Sequence, residues 1–87
     1  MAKYNITFKE SVAKDLRNIP NQDIKRILEK IDALADDPRS TGCIKLSGHN
    51  LYRVRQGLFR IIYEIVDDQL IVHVIKIAHR SSVYKDY

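Results

Sequence analysis

Between positions 24 and 35 the apolar residues recur at helical spacing, and the rest of the fold must accommodate them. Ile24, Ile27, Leu28, Ile31, Leu34 and Ala35 fall at i, i+3, i+4, i+7, i+10 and i+11. Lys25, Arg26, Glu29, Lys30, Asp32 and Asp36 take the other faces, so the pattern predicts a one-sided amphipathic helix. Glu29 follows Lys25 by four positions and Arg26 by three, which adds mild ion-pair support. Such a stripe is stable only when another layer covers it. Upstream, Tyr4, Ile6 and Phe8 alternate with Asn5 and Thr7, the pattern of a half-buried strand. The period then changes: Val12, Ala13, Leu16 and Ile19 form the stripe of a shorter helix, which Pro20-Asn21 breaks before the second begins. Pro38 ends the second helix.

Residues 39–50 read as a loop, with Ile44 and Leu46 tucked beneath it. Strands are predicted at about 51–56, 58–66 and 70–78, joined by Gln56-Gly57 and by the stretch VDDQ. The end of the chain, AHRSSVYKDY, is polar, with room for a short helical turn. The order β-α-α-β-β-β predicts an α+β fold, a two-helix hairpin packed on one face of a small, mainly antiparallel four-stranded sheet. Eighty-seven residues make a single domain, 1–87, with little room for a second core. No apolar run approaches the ~20 residues needed to span a bilayer. The start, MAKYNITFKE, has no signal-like apolar segment, so a cytoplasmic protein is expected. The single cysteine, Cys43, forms no internal disulfide, cannot alone supply a zinc site, and is expected to be structural.

The net charge of +4 is placed unevenly. Residues 1–38 hold seven Lys/Arg and seven Asp/Glu, whereas residues 39–87 hold eight and four. From Arg39 to Tyr63 there are five basic residues and no acid. A one-sided positive field suits a polyanionic partner. The alternative is a solvated basic surface.

Three of those cations lie in LYRVRQGLFRIIYEI, residues 51–65. Strand alternation puts Tyr52, Val54, Phe59, Ile61 and Tyr63 on the helix-facing side and Arg53, Arg55 and Arg60 on the other. A symmetric loop at Gln56-Gly57 places Arg53 opposite Arg60 and Val54 opposite Phe59. Like charges directly across a strand pair cost roughly 0.2–1 kcal/mol. A bound anion explains why they are kept, because guanidinium forks match phosphate oxygens. Neutralisation by Glu64, or by an acid of the tail, is the competing explanation. After the last strand come His79, Arg80 and Tyr84. Arg80 is expected as a fourth cation at the same pocket. Tyr84 offers an ionisable hydroxyl and a stacking ring, or else caps the sheet edge. His79 reads equally well as a structural imidazole, and His49 and His73 are taken as structural.

The element order, the stretch YRVRQGLFRIIY and the closing HRSSVY together resemble RelE-type toxins of the RelE/ParE superfamily, over nearly the whole chain. KDLRNIP and KLSGHNLYRVR share the family's character. The resemblance implies an mRNA interferase, an endoribonuclease that enters the ribosomal A site and cuts the messenger there. It implies no metal and no cofactor, and a cognate antitoxin that silences the toxin. Residue by residue, Arg53 and Arg55 match paired RNA-binding positions. Arg60, Arg80 and Tyr84 match the arginines and tyrosine that carry the chemistry. Some relatives have lysine where this chain has Arg53 and Arg55. Arginine does not lose its proton in practice, so position 55 is not expected to serve as the base. Two alternatives remain: a ParE-like inhibitor of DNA gyrase without nuclease activity, and a non-catalytic RNA- or ribosome-binding module.

Overall fold

The computed structural model describes residues 3–46 and 50–81. Strand β1 (Asn5–Phe8) leads into helix α1 (Ser11–Arg17) and helix α2 (Asn21–Leu34). Strands β2 (Ile44–Lys45), β3 (Leu51–Gln56) and β4 (Phe59–Val66) follow, then a 3₁₀ turn (Asp67–Gln69) and β5 (Ile71–His79). The sheet has five strands in the order β1-β5-β4-β3-β2, one more than the sequence pattern predicts. The added strand is β2, which pairs Ile44 with Arg53 and Lys45 with Tyr52 at the sheet edge. Two residues are too few to display alternation. Ile44 is 48% exposed on this edge, not tucked beneath a loop. β1 pairs with β5 in parallel and every other neighbour is antiparallel. No helix is long and apolar enough to cross a membrane among the described residues.

Pro20, extended at φ −58° and ψ 144°, ends the short link from α1 and is the N-cap of α2. Ile27, Ile31 and Leu34 on α2 join Val12 and Ile19 over the inward residues of β3, β4 and β5 in one core. Leu28, on the flank of the predicted stripe, stays 40% exposed. Tyr63 lies at the centre, fully buried. Its hydroxyl donates to the Pro38 carbonyl at 2.7 Å and touches Cys43 Sγ at 3.2 Å. Burial, and then the contact with Cys43, push its pKa up, so the phenol stays neutral. Cys43 thus has a structural partner, as expected.

At the far end of the sheet an ion-pair cluster ties three segments together. Arg39 grips Asp67 bidentately, with Nη1–Oδ1 at 3.0 Å and Nη2–Oδ2 at 2.8 Å. Tyr4 donates its hydroxyl to Asp67 Oδ1 at 2.7 Å, and the Arg39 guanidinium stacks 5.3 Å from the Tyr52 ring centroid. The hydrogen bond from Arg39, then that from Tyr4, lowers the Asp67 carboxyl to about 2. A carboxyl depressed in the folded state stabilises it above the unfolded pKa. That contribution is lost as pH falls from about 4, the ordinary carboxylate value, toward about 2. Denaturation midpoints measured across this window are expected to fall with pH, and Asp67→Asn is expected to flatten the decline. Because both partners are exposed, added salt is expected to weaken the effect.

Candidate functional site

The hairpin of β3 and β4 turns at Gly57-Leu58, one residue later than the sequence suggests. Gly57 sits at φ 60° in the first turn position, where a residue with a Cβ is strained. Gln56 therefore pairs with Phe59, Arg55 faces Arg60, and Arg53 faces Ile62. The expected Arg53–Arg60 opposition is corrected to Arg55–Arg60. The shift moves each partner by two positions, so side chains keep their faces. Tyr52, Val54, Phe59, Ile61 and Tyr63 face the helices and enter the core as predicted.

β5 completes the outer face through a β-bulge. Tyr63 pairs with Val74 and Ile62 with Lys76, leaving Ile75 without an opposite number. Before the bulge the inward residues are Val72 and Val74, and after it they are Ile77 and His79. His79 meets the Phe59 ring edge-on at 5.5 Å. Ala78, the outward residue next to His79, pairs with Arg60. Unbulged pairing would reverse every side chain from Lys76 onward.

Asp15 of α1 secures this irregularity. β1 stops at Phe8, opposite Val74. Beyond that point Asp15 Oδ2 accepts the Ile77 N–H at 3.1 Å while Oδ1 pairs with Lys76 Nζ at 2.9 Å. The turn after β5 is also fixed. Arg80 donates its backbone N–H to Leu58 O at 2.7 Å. The Ser81 N–H donates to His79 Nδ1 at 3.2 Å, and Ser81 Oγ lies 2.8 Å from the same nitrogen. Since a backbone amide only donates, Nδ1 accepts, and the neutral ring carries its proton on Nε2. His79 is thereby a holder of the turn. His73, taken as structural from the sequence, shares a 2.7 Å hydrogen bond with Thr7 Oγ1.

Three of the four arginines meet. Arg55, Arg60 and Arg80, with Gly57, Phe59 and Ser81, line one open recess of about 390 Å³. Arg53 lies in an adjoining recess of about 360 Å³ that includes Lys30 and shares Arg55 as a wall. Glu64, the suggested neutralising residue, lines a separate recess with Asn50, Asp67 and Asp68. Tyr84 and His49 lie outside the described residues. Among the described residues no three His, Cys, Asp or Glu side chains gather into a set able to hold a metal ion. Sequence reasoning missed Lys30 and Asp15, since each is brought to its place by tertiary packing. A lysine on the polar flank of a helix gives no local sign of approaching a strand edge.

The arrangement can bind a tetrahedral anion, with three guanidinium groups and the uncharged Gly57, Phe59 and Ser81 lining one recess. Residues 6–84 match the family described as ParE toxin of type II toxin-antitoxin system, parDE. Toxin RelE3 of Methanocaldococcus jannaschii is 33% identical over 94% of this chain and 96% of its own length. The RelE-RelB complex from Pyrococcus horikoshii contains a chain 30% identical to this one. It superposes with a TM-score of 0.79 over 95% of this chain and 100% of that one. A RelB-RelE antitoxin-toxin complex from Methanococcus jannaschii gives 29% identity and a TM-score of 0.67 over 85% and 89% of the two chains.

Proposed function

The chain belongs to the RelE/ParE toxin superfamily as a type II toxin of the RelE family, and from that premise we propose that it is a ribosome-dependent mRNA endoribonuclease. The observation that carries the reading is the single recess shared by Arg55, Arg60 and Arg80.

RNA supplies its own nucleophile, the 2′-hydroxyl. The hydroxyl gives up its proton as its oxygen attacks the adjacent phosphorus, the 5′-oxygen of the next nucleotide leaves and takes up a proton, and a 2′,3′-cyclic phosphate remains. The phosphorane gains negative charge on the way. Donors held in place before that charge develops lower the barrier by about 3 kcal/mol each. Arg60 and Arg80 clamp the scissile phosphate in this scheme. Arg55 bridges to the next phosphate and Arg53 holds the chain beyond it. Tyr84 serves in base stacking or proton transfer. A free tyrosine has a pKa near 10, so a role as base requires the neighbouring cations to lower it. Arginine takes no part in removing the proton. With no strong base assigned, alignment of the messenger by the ribosome provides much of the rate, and activity on free RNA is low. The partner that silences the toxin is a cognate antitoxin, as the RelB-bound relatives suggest.

Primer extension on a messenger translated in an extract tests the reading. Cleavage is expected in the codon at the A site, and a 2′-deoxy substitution at the cut is expected to abolish it. Efficient cutting of the deoxy substrate would reject the mechanism. The ParE description of the matching family supports a second reading, gyrase inhibition. Supercoiling inhibition without messenger cleavage would favour it.

A further inference from the structure

We propose that the recess beside the arginine cluster is a second phosphate subsite, in which Lys30 and Arg53 hold a backbone phosphate of the same RNA strand on one side of the scissile linkage. This rests on the reading of the first recess as the RNA site. The subsite is assembled from three separate segments. Lys30 comes from α2, Thr41 and Gly42 from the turn before β2, and Arg53 with Arg55 from β3. Three of its lining residues are cationic and none is acidic. Arg53 Nε is buried with no hydrogen-bond acceptor, so the protein leaves one polar group of this guanidinium unsatisfied. Thr41 adds a hydroxyl. A Cβ built at Gly42 would meet nothing within 4 Å, so the turn leaves the backbone open to approach.

Continuity identifies the ligand. Arg55 is a wall of both recesses, so a ligand filling both carries successive anionic groups on one backbone. A single-stranded polynucleotide has that character at every linkage. An acidic peptide could offer carboxylates here too, but continuity with a recess suited to a tetrahedral phosphate favours RNA.

The test measures binding, separately from cleavage. Fluorescent RNA oligonucleotides made uncleavable by 2′-O-methylation are titrated with the full chain at several salt concentrations. A dinucleotide is compared with a hexanucleotide. Lys30→Gln is expected to weaken hexanucleotide binding several-fold and to lower the magnitude of its log–log salt slope by about 0.7, the value for one phosphate contact on a single strand. It is expected to leave dinucleotide binding unchanged, and Lys30→Arg is expected to restore hexanucleotide binding. Arg55→Ala is expected to weaken both lengths. Wild-type hexanucleotide affinity and salt slope in Lys30→Gln would overturn the proposal, as would equal loss for both lengths. Loss of affinity for an acidic antitoxin peptide with RNA binding intact would also overturn it and mark the recess as a protein contact. If this test succeeds while no messenger is ever cut, the subsite stands as an RNA-binding feature and the nuclease reading fails.

Discussion

Alanine in place of Arg80 is expected to reduce messenger cleavage in a translating extract by about 10²–10³-fold, the loss typical of removing one preorganised donor from a developing oxyanion. The fold should not register the change. Arg80 is exposed and follows the last strand, and its hydrogen bond to Leu58 comes from the backbone, which alanine retains. Stability should stay within about 0.5 kcal/mol of the parent, as for other surface substitutions. Arg80→Lys should recover only part of the activity, because lysine keeps the charge and loses the bidentate fork. The measurement is the initial rate of appearance of the cleaved 3′ fragment by primer extension, beside a urea denaturation curve for each variant. Full activity in Arg80→Ala would remove this residue from the mechanism. A large fall in stability would show that the loss of cleavage was indirect.

The largest effect on stability is expected at Tyr63. Tyr63→Ala empties a fully buried aromatic site and should cost about 4 kcal/mol, within the usual range for large aromatic truncations. That is a large share of the roughly 5–15 kcal/mol that holds a domain together. Tyr63→Phe separates the ring from the hydroxyl. It keeps the packing and the stacked contact with Tyr52, whose centroid is 6.0 Å away, but leaves the Pro38 carbonyl without its donor. The expected cost is about 1–2 kcal/mol. Urea denaturation of the two variants gives both numbers. Equal losses would assign the role to the hydroxyl alone. A negligible loss in Tyr63→Phe would mean that the link to residues 38–43 is energetically idle.

The parts of the fold legible in the sequence were those where a period repeats over several turns or alternations. The α2 stripe and the two faces of the β3–β4 hairpin fall in this class, because misplacing either would bury charge. β2 was not legible, since two residues form no pattern. The hairpin register depended on whether Gly57 closes or opens the turn, and both placements leave the faces unchanged. The bulge did leave a trace: in IVHVIKIAH the alternation Val72-His73-Val74, apolar on even numbers, gives way to Ile75-Lys76-Ile77, apolar on odd numbers. Arg80 was singled out by its place in the closing motif. Its meeting with Arg55 and Arg60 arises from the paired strands, which no local spacing encodes. Lys30 was assigned to a solvent face and nothing more, because its neighbours at the β3 edge come from distant sequence.

The unpaired residue in β5 makes the spacing of the final stretch a matter of phase. Omitting Ile75 would leave every later residue on its own side of a now regular ladder. Adding one residue between Lys76 and Arg80 would turn the guanidinium half a revolution, toward the helices and away from its two companions. Natural variation in this stretch should therefore tolerate changes of identity far better than a single inserted residue, and chains that gain one should carry a second irregularity that cancels it.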